Sequence, residues 1–315
     1  MSCSSLLLLH AETPLHPGTG SALGAVDLPV ARERATGWPL VPGSSLKGVL
    51  RDTCRRLCHD GKDESGDLWA VFGGDTNNAS EAAGALSVTD ARLLAFPLRS
   101  LSGLFAWTTC PAALERLVRD ARIGGIDNEV TQAAEALCKE AVTLRDAVSD
   151  KQALVAKNSP LKVGDNHLVF EEFDYEAREC DAVQHFGAAL DAALGGAEMR
   201  LKSHLAVISD NAFTFSTRYA TEVSARIGLD ARTKTVKDSA LFYQEFLPAA
   251  TIFSALALAG EPSAKLGTEE LKSAEDVMKY VNKALTKGTN VVQVGGDASI
   301  GKGLCTVILM NGKEA

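Results

Sequence analysis

An apolar run, a long polar loop and an amphipathic helical pattern follow one another at the start of the chain. Residues 6–9 are four consecutive leucines, which is typical of a buried strand, and prolines and glycines between residues 14 and 20 end the run. The loop carries one central carboxylate, Asp27, and the pattern becomes helical after Pro42 and Gly43. A glycine-loosened loop followed by a basic helix face suits a phosphate chain lying across the loop.

The helix is expected to begin at an N-cap formed by Ser44 or Ser45 and to end at about His59. Lys47 and Arg51 lie one turn apart on its polar side and are candidate phosphate contacts. Its expected apolar face consists of Leu46, Val49, Leu50, Cys54, Leu57 and Cys58.

Charge is distributed unevenly along the chain. The net charge of −8 argues against non-specific binding to nucleic acid. Residues 32–56 nevertheless hold six basic side chains against two acidic ones. Because screening limits electrostatic binding to charges within about 8–10 Å, a local basic groove remains compatible with the acidic total.

Composition indicates an ordinary soluble globular protein. The chain has 315 residues, of which 46% are hydrophobic, and no apolar run approaches the roughly 20 residues of a membrane span. The first residues lack the basic stretch and cleavage site of a secretory signal. Seven scattered cysteines, an odd number, favour a reducing cytoplasm over a disulfide framework.

Two cysteines and a histidine lie close together at the end of the predicted helix. Cys54, Cys58 and His59 resemble a metal site at first sight. On the helix, however, both cysteines fall on the apolar face, and no second ligand pair follows at zinc spacing. Core packing is the preferred interpretation.

Strand and helix patterns alternate irregularly along the rest of the chain. Further strands are expected near residues 85–98, 104–109, 169–174, 252–259, 290–294 and 304–310. Helical patterns cover 111–150, 181–194 and 268–285, the last capped by Thr268, and two extended arms joined by 228–237 form a hairpin. The sequence therefore predicts an α+β fold with an antiparallel sheet, a helical insertion and a protruding hairpin.

A glycine-rich turn lies close to the C-terminus. Residues 296–302 satisfy the GxxxxGK spacing of a phosphate-binding loop, but Gly303 replaces the hydroxyl residue that would hold magnesium. A β-branched run follows, so there is no helix to receive the phosphate, and a nucleotide hydrolase is not expected. Either a hairpin turn with surplus glycine or a nest of amides that a backbone phosphate could approach remains, and we favour the nest. Its candidate contacts are Gly295, Gly296, Gly301, Lys302 and Gly303.

The glycine-rich turn and the N-terminal block together resemble the RAMP superfamily of CRISPR-Cas proteins. The block AETPLHPGTGSALGAVDLPVARERATGWPLVPGSSLKGVLRD, residues 11–52, is similar to the backbone subunits of type III-B (Cmr) effector complexes. The resemblance also covers residues 68–74 and TEVSARIGLDARTKTVKDSALFYQEFLPAATIF, residues 221–253. It does not extend to residues 111–205.

The resemblance implies a single domain over residues 1–315, with an RRM-like, ferredoxin-like core, an insertion at about 111–205 and a thumb hairpin at about 219–240. It also implies a subunit that polymerises along CRISPR RNA with other subunits of the complex. The thumb of each copy would displace a nucleotide between guide and target. Such subunits cleave the target RNA at each displaced position with a metal-assisted aspartate, which by motif position is Asp27.

The chemistry of the loop agrees with that implication. A lone carboxylate is a poor protein-only site, but Mg²⁺ or Mn²⁺ could be shared between Asp27 and RNA phosphates. RNA supplies its own nucleophile, the 2′-hydroxyl, so no triad is needed. His16 is a candidate for proton transfer, and Arg32, Ser44 and Ser45 join the candidate RNA contacts.

Other interpretations remain open. Asp27 could form an Asx turn, His16 could cap the proline-rich turn, and the chain could be a non-catalytic guide-binding scaffold. A standalone RRM-like protein is not expected. Such a protein stacks bases on sheet aromatics, and residues 6–9 contain none.

Overall fold

The computed structural model describes residues 3–58, 66–74, 83–145, 151–230, 232–233, 235–263 and 271–311. The strands are β1 (Cys3–Ala11), β2 (Leu40–Val41), β3 (Leu86–Val88), β4 (Ala91–Arg99), β5 (Phe105–Thr109), β6 (Gln152–Val155), β7 (His167–Phe170), β8 (Phe173–Glu179), β9 (Leu205–Val207), β10 (Glu222–Leu229), β11 (Val236–Phe246), β12 (Ile252–Ala259), β13 (Val291–Gln293) and β14 (Leu304–Asn311). The helices are α1 (Gly43–Cys58), α2 (Gly66–Phe72), α3 (Pro111–Gly124), α4 (Glu129–Ala141), α5 (Asp181–Leu194), α6 (Leu201–His204), α7 (Asp210–Tyr219) and α8 (Ala274–Lys287).

One twelve-stranded sheet organises the fold. Its main path runs β13-β14-β1-β12-β4-β5-β9-β6-β8-β7, with β2 paired to β4 and β3 paired to β12. From β13 to β5 every pairing is antiparallel, whereas β5 with β9 and β6 with β8 are parallel. The predicted α+β fold with an antiparallel core is confirmed. The narrower ferredoxin-like description and the single-domain division stay predictions.

The central strand β1 is apolar on both faces because both faces of the sheet are covered. Leu7 and Leu9 pack in a cluster that includes α1 and α8, and Leu6 and Leu8 pack in a second cluster with α3, α4 and α5. A strand buried on both sides cannot alternate with polar residues, which explains the run of leucines.

Helix α1 buries the face that the sequence predicted, but it begins earlier. Leu46, Leu50 and Cys54 are buried, and burial raises the pKa of the Cys54 thiol, so the core interpretation of this cysteine is confirmed. His59 lies outside the described residues. The predicted N-cap is wrong, because Gly43 is already helical and its N–H donates to Asp90 Oδ1 at 2.7 Å. A carboxylate 47 residues away replaces the local serine cap.

The insertion at 111–205 contains strands as well as helices. Helices α3, α4 and α5 occur where helical patterns were predicted, but β6, β7 and β8 extend the sheet beyond β9. The description of this segment as helical is therefore wrong in part. The strand predicted near residues 169–174 corresponds to β7 and the start of β8. Strand β6 was not predicted, because four residues are too few for a strand pattern to stand out.

The hairpin of β10 and β11 forms its own two-stranded sheet, and we call residues 222–246 the thumb. Helix α7, which precedes it, was not predicted. The start predicted for α8 is wrong, because Ser273 caps this helix in a reciprocal capping box with Asp276. The predicted cap, Thr268, lies outside the described residues. None of the helices in the described ranges is long and apolar enough to cross a membrane.

Candidate nucleic-acid interface

The glycine-rich loop lies directly against the N-terminal block. Gly295 has φ +78°, and a Cβ there would lie 2.3 Å from the carbonyl oxygen of His16. Gly296 N–H donates to the same oxygen at 3.0 Å. Only a residue without a side chain allows two backbones to approach this closely. The loop continues through a single 3₁₀ turn, Ala298–Ile300, into β14, so the structure agrees that this is no nucleotide-hydrolase loop.

A groove separates the glycine-rich loop from α1. A cavity of about 300 Å³ lies among His16, Gly18, Ser45 and Gly296, and a second cavity of about 460 Å³ continues past Ser45 along α1 towards Asp52. We call this pair of cavities the loop–helix groove. Ser44 and Ser45 are exposed within the first turn of α1, where backbone amides have no partner inside the helix. A helix N-terminus beside a glycine loop favours an anion.

Lys47 and Arg51 lie next to each other on α1 but are held differently. Lys47 has no ion-pair partner among the described residues, and burial together with the nearby Arg51 charge lowers its pKa. Arg51 donates to the carbonyl oxygens of Gly73 and Gly74, at 3.0 and 3.3 Å, just beyond the end of α2. Lys47 is therefore available to a phosphate, whereas Arg51 also fastens α2 to α1.

The Asp27 carboxylate binds the thumb. Its Oδ2 accepts a hydrogen bond from Tyr243 N–H at 2.7 Å, which joins residues 216 positions apart. Leu28 N–H donates to Tyr243 O at 3.0 Å, and Glu245 N–H donates to Leu28 O at 3.0 Å, so the loop runs beside β11. The Asx-turn interpretation is wrong, because the carboxylate accepts no local amide in the described chain. Oδ1 makes no hydrogen bond within the described residues.

His16 is fixed by the same strand. Its Nδ1 lies 2.7 Å from Glu245 O, and because a carbonyl can only accept, Nδ1 carries the hydrogen. The lone pair of the neutral ring is therefore on Nε2, which lies so near Gly18 that a Cβ there would be 2.5 Å away. His16 lines the loop–helix groove. The bond to β11 shows that turn capping is not its role.

Arg32 is turned inward rather than towards the groove. Its Nη2 lies 2.5 Å from Oε1 of the buried Glu245, and its Nη1 donates to the carbonyl oxygens of Gly37 and Thr217. Three of its five N–H donors are used within the chain, so the structure gives the predicted RNA contact of Arg32 no support, and it stays a prediction. An ion pair this shielded holds the loop in place.

Glu245 is the residue that the sequence analysis missed. Besides Arg32, its carboxylate accepts hydrogen bonds from Val30 N–H at 3.0 Å and from Thr221 Oγ1 at 2.9 Å. Phe246 and Leu247, which follow it, are buried. An acidic residue directly before buried apolar residues is costly unless it is paired, and that pattern was the available signal.

A metal ion fits here only together with RNA. Among the described residues, no group of three or more His, Cys, Asp or Glu side chains could hold an ion. The free Oδ1 of Asp27 supplies one hard oxygen ligand, the kind that Mg²⁺ and Mn²⁺ prefer. The other ligands would have to be phosphate oxygens and water.

The glycine-rich loop also reaches the thumb. Asp297 has φ +65°, its Oδ1 lies 3.1 Å from Arg226 Nη1, and its Oδ2 accepts a hydrogen bond from Gln244 Nε2 at 2.6 Å. Lys302 Nζ lies 5.0 Å from the ring centre of Phe246, which allows a cation–π contact. The glycine-rich loop and the thumb are thus connected through the side chains of Arg226, Gln244 and Phe246.

Known proteins share both the sequence and the fold. The RAMP superfamily matches residues 8–306. The CRISPR system Cmr endoribonuclease Cmr4 of Pyrococcus furiosus is 35% identical over 309 residues, which cover 96% of this chain and 95% of that protein. The crystal structure of oligomeric Cmr4 from the same organism covers 99% of both chains, with 27% identity and a TM-score of 0.68. A chain of the type III-B Cmr-beta complex bound to cognate target RNA has the same fold, with a TM-score of 0.72 at 20% identity over 97% of this chain and 96% of its own. The chain therefore belongs to the RAMP superfamily.

Proposed function

We propose that this chain is the guide-binding backbone subunit of a type III CRISPR effector complex and that it cleaves target RNA with Asp27. The observation that carries the proposal is the placement of Asp27. One carboxylate oxygen is hydrogen-bonded to the thumb root at Tyr243, and the other is free. The similarity to a Cmr endoribonuclease over nearly the whole chain supports the same conclusion.

The guide strand is proposed to lie in the loop–helix groove. Amides at the start of α1 and the glycine-rich loop would contact its phosphates there, and Lys47, on α1 outside the groove lining, would contact a neighbouring phosphate. These contacts need no base sequence. The target strand would pair with the guide, and the thumb would separate a nucleotide from its partner. The partners are therefore CRISPR RNA, complementary target RNA, further copies of this chain and other subunits of the complex.

Cleavage requires the chain to orient the RNA and to accept the proton of the 2′-hydroxyl. The 2′-oxygen attacks the adjacent phosphorus while the bond from phosphorus to the 5′-oxygen breaks. The leaving 5′-oxygen takes a proton from water, so the products are a 2′,3′-cyclic phosphate and a 5′-hydroxyl. His16 can accept the proton of the 2′-hydroxyl at Nε2, because its Nδ1–H is already given to Glu245 O. A divalent ion shared between Asp27 and the phosphate would neutralise the charge that develops on the phosphate oxygens.

Two further observations bear on this proposal. All seven cysteines are free thiols, which supports the reducing, cytoplasmic location expected from the sequence. The hydrogen bond between Asp27 and Tyr243 also gives Asp27 a structural use, which favours the non-catalytic scaffold as the second candidate.

Metal dependence separates the two candidates. The complex reconstituted with guide RNA is expected to cut complementary RNA at regular intervals in Mg²⁺ or Mn²⁺, to stop when the ions are chelated, and to resume when they are restored. Cleavage is measured on labelled target RNA, and target binding is measured in the same samples. Tight target binding without cleavage in either metal would establish the scaffold instead.

Lys47, which lies on α1 outside the lining of the groove, is expected to be an ionic contact of the guide. Lys47→Ala should weaken guide binding and reduce the slope of log affinity against log salt by about 0.7–0.9, the value for one phosphate contact. Arg51→Ala should chiefly lower the melting temperature, because its guanidinium binds the carbonyl oxygens beyond α2. Lys139→Ala, an exposed lysine on α4, is the matched control. A salt slope that Lys47→Ala leaves unchanged would show that this residue does not contact the guide.

A further inference from the structure

Three aromatic side chains outside the groove are exposed and touch one another. Phe173 begins β8, and Phe215 and Tyr219 lie one turn apart on α7, with exposed fractions of 43%, 47% and 64%. The ring centres are 5.3 Å apart between Phe173 and Phe215 and 4.6 Å apart between Phe215 and Tyr219. We call this set the aromatic ladder. Contiguous exposed apolar surface of this kind marks a binding site.

The exposure of the aromatic ladder does not result from incomplete packing of α7. The opposite face of α7 buries Phe213, Ser216 and Thr217. Beside the ladder lies a groove of about 590 Å³, bounded by Lys151, Phe173, Tyr175 and Phe215. This volume falls within the roughly 300–1,000 Å³ of sites that hold small planar ligands.

The charges around the ladder favour a nucleic acid. Lys151 and the exposed Arg218 have no ion-pair partner within the described ranges. Of the two acidic residues of the groove, Glu172 lies 3.6 Å from the guanidinium of Arg99, and Asp174 lies 3.4 Å from the ring of His167. Bases could therefore cover the rings while phosphates face the two unpaired cations, which is how single strands are commonly bound.

The ladder leads to the candidate catalytic loop. Thr217 lies between the two ladder residues of α7, and its carbonyl oxygen accepts a hydrogen bond from Arg32 Nη1 at 3.1 Å. Thr221, two residues beyond Tyr219, donates to Glu245 at 2.9 Å, and Glu245 holds Arg32. The aromatic surface is thus joined through Arg32 and Glu245 to the loop that carries Asp27.

We propose that the aromatic ladder is a second RNA site, which stacks unpaired bases of a single strand as it passes the thumb root. This inference rests on the proposed function and adds the place where RNA outside the guide groove is held. Recognition is by ring faces, so it is tolerant of sequence. The sheet strand β1 has no aromatic residue, so the bases would stack on α7 and β8 instead.

The test uses the full chain and a short single-stranded RNA labelled with 2-aminopurine, whose fluorescence falls when it stacks on an aromatic ring. The double variant Phe215→Leu, Tyr219→Leu keeps apolar bulk but removes the rings, and both positions are exposed, so its melting temperature should match the wild type. We expect the quenching to disappear and Kd to rise about tenfold. Lys151→Ala should lower the salt slope by about 0.7. Ile123→Ala, an exposed apolar residue on α3, is the control and should change nothing.

Three outcomes would contradict this inference. Wild-type quenching and affinity in the double variant would show that the rings do not stack bases, while RNA binding sensitive to Lys47→Ala would leave the proposed function intact. Normal RNA binding with impaired assembly of the reconstituted complex would show that the ladder docks protein. A wild-type chain that binds no RNA would overturn the proposed function together with the inference.

Discussion

Asp27→Asn is expected to reduce target cleavage by at least about 10³-fold, roughly 4 kcal/mol in activation free energy. Guide binding, assembly and target binding should be unchanged. The asparagine keeps an oxygen that can accept the Tyr243 N–H hydrogen bond, so the loop stays on β11. It loses the negative charge that would hold a divalent ion. The measurement is single-turnover cleavage of labelled target by reconstituted complex, in Mg²⁺ and in Mn²⁺.

Asp27→Ala separates the two uses of this carboxylate. Alanine removes the charge and the hydrogen bond to Tyr243 together, so it should lower cleavage as strongly and also loosen the loop. If the structural bond were the only role of Asp27, the asparagine variant would cut at the wild-type rate and the alanine variant would not. That pattern would end the catalytic assignment and leave the scaffold interpretation.

Gly303→Ala is expected to lower the free energy of unfolding by at least about 3 kcal/mol. Gly303 has φ +73°, and a Cβ would lie 2.0 Å from the carbonyl oxygen of Val294. That oxygen belongs to backbone that cannot move away, because Val294 N–H is bonded to Gly303 O at 2.8 Å. Chemical denaturation of the full chain measures the loss.

Gly301→Ala is the matched control within the same loop. Its φ of +75° is nearly identical, but a Cβ there meets nothing within 4 Å. Only the left-handed backbone penalty applies, about 1 kcal/mol. Equal losses in the two variants would mean that backbone conformation, rather than the contact with Val294, makes glycine necessary at position 303.

The sequence predicted those parts of the molecule whose causes are local. Four consecutive leucines correctly indicated a strand, and the residues after Lys302 correctly excluded a helix. Helix α7 was missed because Ser216 and Thr217 lie on its buried face, and a hydropathy pattern counts them as polar. The predicted serine cap of α1 was wrong because the carboxylate of Asp90, far along the chain, accepts the hydrogen bond from Gly43 N–H at the start of the helix.

The candidate site shows the same division. The positions of Asp27 and His16 in the N-terminal block were found, but their partners Tyr243 and Glu245 are more than 200 residues further along the chain. No local pattern connects such residues. Arg32 was predicted to contact RNA because the sequence shows its charge. Its ion pair with the buried Glu245 can be recognised only in the folded chain.

Because the loop of Asp27 pairs with β11, the candidate catalytic carboxylate is attached directly to the thumb, the element proposed to separate a nucleotide from its partner. Two residues of β11, Tyr243 and Glu245, make the hydrogen bonds to Asp27, Leu28 and His16. The distance between a displaced nucleotide and the bond that is cleaved would then be fixed within a single subunit. The interval between successive cuts would instead be a dimension of the filament, set by how neighbouring copies stack. A longer guide would add cuts at the end of the series without moving any of the existing ones.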